Sequence, residues 1–192
     1  MKTSLCLSIL AAIFVLHVDV VQADDSRTFS DPQHHIKMTC PSGWSFMSPA
    51  EVAQKSNPQI DLPAGTLVLC HNLKYSDQSI NIAYYGDTTR DAPTKDAVRA
   101  FLEKLQQQEI ETLKQRPELR RIVSQSIYDF ADGLALETLA EVSPNGTAMK
   151  IKTLFLISHG NGYVITCGAK TAEYDQANKS GFTPVLSSII IE

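Results

Sequence analysis

The sequence has few of the features that mark redox, metal-binding or nucleic-acid-binding proteins. Its four cysteines include no Cys-x-x-Cys pair, so neither a thioredoxin-type redox motif nor a zinc knuckle is indicated. Lys and Arg (17) are fewer than Asp and Glu (21), and a net charge of −4 argues against a general nucleic-acid binder. Nine Gly and nine Pro exclude a low-complexity chain. The 43% of hydrophobic residues instead predicts a packed core.

The long hydrophobic run lies at the N-terminus, and nothing later in the chain is apolar for long enough to span a bilayer. Lys2 precedes an apolar stretch, Leu5–Leu16, and small residues follow at Val21–Ala23. This pattern predicts a secretory signal peptide over residues 1–23, and it favours that reading over an anchor helix because the run is shorter than the ~20 residues a span needs. We therefore expect residues 24–192 to form one exported domain, periplasmic or secreted, without stable membrane insertion.

Cys40, Cys70 and Cys167 remain after the predicted cleavage. Disulfides persist outside the cytosol, and three cysteines allow one bridge. We predict that Cys40 pairs with Cys70, because each lies in or at the end of an early strand and the two are close in sequence. Such a bridge would stabilise the fold by about 3 kcal/mol. The alternative of three buried, reduced cysteines stays open.

Alternation of apolar residues between turn signals predicts a sheet flanked by helices, and residues 24–34 are expected to be irregular. Apolar residues on both faces of the strand at 148–157 require cover on both sides. The fold class is therefore α+β, an α/β/α sandwich around a mainly antiparallel sheet of six to seven strands. The predicted strands are 36–40, 66–73, 79–85, 121–130, 134–142, 148–157 and 163–169. The predicted helices begin at Pro49, ending before Asn57, and cover 94–116 and 171–188, the last broken near Gly181 and Pro184.

This element order accompanies two short motifs. The first strand ends in Cys40-Pro41-Ser42-Gly43-Trp44, and the chain closes with Phe182-x-x-Val185-Leu186-Ser187-Ser188. Both resemble the PsbP-like superfamily, which includes the photosystem II PsbP subunit and DcrB-like envelope proteins. The resemblance implies an α/β/α sandwich, export in bacterial and chloroplast members, and roles that are seldom enzymatic. No residue matches a family binding motif, so no site is carried over.

Candidate reactive residues are not arranged for chemistry in the sequence. The neighbours His34 and His35 point opposite ways on an extended chain, and so do Cys70 and His71. The segment Gly160-Asn161-Gly162 is followed by a strand rather than a helix, which indicates a hairpin turn and not a phosphate loop. We therefore predict no catalytic, cofactor-binding or metal-binding residues and no cofactor.

Two carboxylate pairs are of the kind that a hydrolase uses. Glu109 and Glu111 diverge on a helix, while Glu137 and Glu141 share a strand face about 13 Å apart, beyond the ~5 to 9.5 Å of glycosidase carboxyl groups. All four are expected to be solvated surface charges.

The leading hypothesis is an exported, non-enzymatic binding or accessory protein of the cell envelope or extracellular space, which acts through contact with another protein. A first alternative is a secreted hydrolase whose site is assembled from distant residues such as Cys167 and His159. A second alternative is a secreted effector directed at a host.

Overall fold

The computed structural model describes residues 27–55, 62–89, 92 and 94–192. The predicted signal peptide, residues 1–23, lies outside the described residues. Among the helices that are described, none combines the length and the apolar character that a bilayer span needs.

Within the described residues, ten strands form two antiparallel sheets. The large sheet has seven strands in the order β3-β4-β5-β9-β8-β7-β6, and the small sheet has three in the order β1-β2-β10. The strands are β1 Thr28–Asp31, β2 Ile36–Thr39, β3 Trp44–Met47, β4 Thr66–Asn72, β5 Ser79–Asp87, β6 Leu119–Phe130, β7 Gly133–Val142, β8 Met149–Ser158, β9 Asn161–Lys170 and β10 Ile190–Ile191.

The helices are α1 Pro49–Lys55, α2 Lys95–Lys114, α3 Tyr174–Ala177 and α4 Thr183–Ser187, and a π-helical segment, Asn178–Phe182, joins the last two. Capping residues explain where the first two begin. Ser48 and Glu51 exchange main-chain to side-chain hydrogen bonds of 2.7 and 3.2 Å ahead of α1. The Thr94 hydroxyl accepts a hydrogen bond from the Ala97 amide at the start of α2.

The large sheet is covered on both faces, which confirms the predicted α+β fold with its α/β/α layering. On one face, α2 packs against Leu134, Leu136 and Phe155. On the other, the C-terminal helical segments and the small sheet pack against residues such as Leu154 and Ile165. Strand β8 contributes buried side chains to both layers, as its pattern predicted.

Three short strands were not predicted. Residues 24–34 were expected to be irregular, but Thr28–Asp31 forms β1, with Phe29 opposite Met38. The ring of Phe29 lies 5.8 Å from that of Phe46, which itself belongs to the unpredicted β3. The C-terminal pair Ile190–Ile191 forms β10 against β2. Each strand has at most four residues, so packing against the core, rather than its own pattern, stabilises it.

The predicted pairing of Cys40 with Cys70 is present as a disulfide contact between their sulfur atoms. Cys40 follows β2 in the small sheet, and Cys70 lies in β4 of the large sheet, so the bridge connects the two sheets. Cys167 is free and buried.

Candidate functional site

One part of the large sheet is covered less completely than the rest. Among the side chains that β6, β7 and β8 place on the face opposite α2, seven lie directly across from one another or two residues apart and form its less covered part. Each is exposed or only partly buried in the described structure. We call this surface the open face, and it comprises Ser124, Ser126, Tyr128, Phe130, Glu137, Leu139 and Lys152.

The open face combines apolar and polar groups. Tyr128 and Phe130 alternate on β6 with Ile127 and Asp129, which face α2, and the two aromatic rings meet edge to face at 6.1 Å. Both rings, together with Leu139, pack against the core while remaining partly accessible. The result is a half-exposed aromatic and aliphatic surface beside charged side chains.

Charged and hydroxyl groups converge where the open face meets the C-terminal helical segments. Lys152 Nζ lies 3.6 Å from Glu137 Oε2 and 3.4 Å from Asn178 Oδ1. The Tyr128 hydroxyl donates to the same Glu137 oxygen at 3.1 Å. We call these four residues the Lys152 cluster. Three strands and the π-helical segment contribute to it, and the Lys152 side chain is only 15% exposed.

Tyr174 of α3 lies beside the Lys152 cluster and is 4% exposed. Its hydroxyl is buried and makes no hydrogen bond. Lys150 Nζ lies 5.7 Å from the centre of its ring. Burial raises the pKa of Tyr174 far above its ordinary value, and the neighbouring Cys167 and Glu137 raise this pKa further. The phenol therefore remains a protonated donor at neutral pH.

The structure does not bring Cys167 and His159 together. Cys167 is fully buried in β9, and burial raises the pKa of its thiol to about 12, so the nucleophilic thiolate is scarce at neutral pH. His159 lies in the turn before β9, and the six residue steps from Asn161 to Cys167 span roughly 20 Å. The hydrolase alternative therefore has no assembled Cys/His pair.

The histidines predicted to diverge make separate contacts. His34 Nδ1 lies 2.8 Å from Asp31 Oδ2, and its ring lies 4.6 Å from that of Tyr84. His71 is buried with Nδ1 unpartnered, while its neighbour Cys70 is in the disulfide. Within residues 27–55, 62–89, 92 and 94–192, no three His, Cys, Asp or Glu side chains are grouped to hold a metal ion.

The cleft at the start of α2 has a volume of about 230 Å³. Two of its polar groups already have partners: Lys95 Nζ pairs with Asp129, and the Ser158 hydroxyl donates to the Ala131 carbonyl at 2.8 Å. It is a weaker candidate than the Lys152 cluster, where the buried Tyr174 hydroxyl is unpartnered.

The prediction that all four glutamates are solvated was wrong for Glu109. Glu109 lies on the face of α2 that packs against the sheet, and it is 6% exposed. It accepts hydrogen bonds from the Thr138 hydroxyl (2.6 Å) and the Gln125 amide (3.1 Å), and no cation of the described chain pairs with it. The helical spacing from Leu102 and Leu105 could have revealed this burial. Glu137 also differs, since it is part of the Lys152 cluster.

We expect Glu109→Gln to stabilise the protein by about 1 kcal/mol at pH 8 and to have little effect at pH 4. Burial raises the pKa of Glu109, so the unfolded state loses this proton first as pH rises above the ordinary glutamate range. Stability from this group is therefore lost on going from acid to neutral pH, and glutamine removes that loss. Urea unfolding at both pH values checks this, with exposed Glu111→Gln as the control. Equal effects at pH 4 and pH 8 would contradict it.

Comparison with solved structures shows that the fold is similar to that of PsbP, as the motifs predicted. The cyanobacterial PsbP (CyanoP) of Synechocystis sp. PCC 6803 is similar with a TM-score of 0.56 at 10% identity, covering 86% of this chain and 91% of that one. A protein from Bacteroides thetaiotaomicron has a TM-score of 0.52 at 11% identity, covering 86% of this chain and 48% of that one. No family model and no curated protein matches the sequence. Likeness at these identities shows the fold alone.

Proposed function

We propose that residues 24–192 act, after export and removal of residues 1–23, as a non-enzymatic accessory protein of the envelope or extracellular space. The protein binds another protein through the open face. The observation that carries this proposal is the half-exposed pair Tyr128 and Phe130 beside Leu139 and the Lys152 cluster.

The composition of the open face supports a protein partner. Interfaces are enriched in aromatic residues that can be fully desolvated, with polar groups at their rim. Tyr128 combines an apolar ring with a hydroxyl that is already held by Glu137. An ordered side chain of this kind loses little further freedom when a partner covers it.

Two observations support the rest of the proposal. A disulfide between Cys40 and Cys70 suits an oxidising compartment outside the cytosol. The buried thiol of Cys167 and its separation from His159 favour binding over hydrolysis.

Export is tested by measuring the mass of the mature chain in envelope and culture-supernatant fractions, and an exported chain that begins after Ala23 is expected. An uncleaved chain in the cytosol would contradict this part. Release into the supernatant would favour an effector over an envelope accessory protein.

The binding surface is tested by cross-linking and capture with the mature chain as bait. Tyr128→Ala is expected to reduce capture of the partner about tenfold, because the Tyr128 ring would be a central contact once the partner covers it. Tyr75→Ala is the control, since Tyr75 is an exposed tyrosine in the β4–β5 turn, outside the open face. Capture that survives Tyr128→Ala and is lost with Tyr75→Ala would exclude the open face, and failure to capture any protein would contradict the function.

A further inference from the structure

We propose that the open face recognises a carboxylate of its protein partner, an Asp or Glu side chain, at the margin where Lys150, Lys152 and Tyr174 meet. This inference rests on the proposed function and specifies one chemical feature of the partner.

The Tyr174 hydroxyl is the first reason. Buried hydroxyl groups in folded proteins almost always have a hydrogen-bond partner, and an unpaired one is costly. This hydroxyl has none, although the residue is 4% exposed. The protonated phenol can donate a hydrogen bond but has no acceptor, and a carboxylate oxygen is a strong acceptor.

Lys152 is the second reason. An ammonium group has three protons to donate, and its contacts with Glu137 and Asn178 are long, at 3.6 and 3.4 Å. The Glu137 oxygen that faces it also accepts from Tyr128. The ammonium can therefore add a further acceptor without losing a short bond.

The local charge favours an acceptor with a single negative charge. Across this part of the sheet there are three cations, Arg121, Lys150 and Lys152, but two carboxylates, Glu137 and Glu141. Arg121 is held by Glu141 in two bonds of 2.8 and 2.9 Å. The adjoining helical segments and their N-cap add Glu173, Asp175 and Lys179, and Glu173 accepts a hydrogen bond from the Gln78 amide at 3.2 Å. Lys150 and Lys152 therefore lie beside one carboxylate, Glu137, that Arg121 does not hold, so one further carboxylate can be accommodated, whereas a dianion would meet repulsion from the two glutamates.

The test uses NMR titration of the mature chain with N-acetylglutamate methylamide, and with the neutral glutamine analogue as the matched probe. We expect saturable shifts at Tyr174 and Lys152 with the acidic probe and none with the neutral one. Tyr174→Phe, which keeps the ring, should weaken binding at least threefold, and Lys152→Met at least tenfold. Lys104→Met, on the exposed side of α2, should leave binding unchanged.

Equal shifts from both probes, or unchanged binding in Tyr174→Phe, would overturn the proposal. Tighter binding of inorganic phosphate than of the acidic probe would also overturn it, in favour of a phosphate site. Thermal unfolding shows whether each variant is folded. If Lys152→Met does not fold, the binding result for Tyr174→Phe alone decides the test. If partner capture depends on Tyr128 but not on Tyr174, and the acidic probe does not bind, then this inference fails while the proposed function stands. If the probe binds but no partner is captured, the proposed function fails alone.

Discussion

Gly181→Ala is expected to lower the free energy of unfolding by about 3 kcal/mol. Gly181 lies in the π-helical segment with ordinary helical dihedral angles, so the reason is space and not conformation. A Cβ at this position would overlap the indole ring of Trp44. That ring is 4% exposed and packs edge to face on Phe182 at 5.7 Å, so it has little room to move.

Gly168→Ala provides the control for this prediction. Gly168 lies in β9, its dihedral angles suit any residue, and a Cβ there meets no other atom within 4 Å. We expect a change within about 0.5 kcal/mol of wild type in urea unfolding, followed by tryptophan fluorescence. If the two alanine variants were equally stable, the close packing of the C-terminal segment on Trp44 would be wrong.

The Gly181 contact also matters for the candidate site. Gly181 belongs to the π-helical segment that packs against Trp44. This segment begins at Asn178, whose side chain accepts a hydrogen bond from Lys152, and it directly follows α3, which contains Tyr174. A shift of this segment would therefore displace Asn178 and Tyr174, which lie at the edge of the open face. A folded Gly181 variant should lose carboxylate binding along with stability.

The sequence predicted best those elements whose signals are local. Strands β4 to β9 each have seven or more residues with apolar alternation and turn residues between them, and α2 has a capping threonine and an apolar stripe. Strands β1 and β3 have four residues each, which is too few for a periodic signal. They form because Phe29 and Phe46 complete the core, a contact that only the folded chain creates.

The candidate site was harder to predict than the disulfide. Cys40 and Cys70 are one of only three possible pairings, whereas the Lys152 cluster draws on β6, β7, β8 and a helical segment from distant parts of the sequence. Glu137 shares a strand face with Glu141, but its partner Lys152 lies diagonally across on β8. Strand order and register decide that contact, and neither is readable from the period of a single strand.

Replacement of Cys40 and Cys70 together by alanine is expected to lower the free energy of unfolding by about 3 to 4 kcal/mol. The bridge spans a sequence separation of 30 residues, and a closed loop of that length restricts the unfolded chain by about this amount. It also joins the large sheet to the small sheet, whose Ile36 and Met38 are part of the core. Urea unfolding of the mature double variant measures the change.

Cys167→Ala separates the effect of the bridge from the effect of deleting a buried sulfur atom, because Cys167 is buried and free. We expect this control to cost about 1 kcal/mol. Thiol counting gives an independent check: the folded, mature protein should show no reactive thiol, the unfolded protein one, and the unfolded and reduced protein three. Two results together would contradict the bridge: three reactive thiols in the unfolded protein without reduction, and a double variant no less stable than Cys167→Ala. Cys40 and Cys70 would then be neighbours without a bond between them, and the argument for an oxidising compartment would lose its structural support.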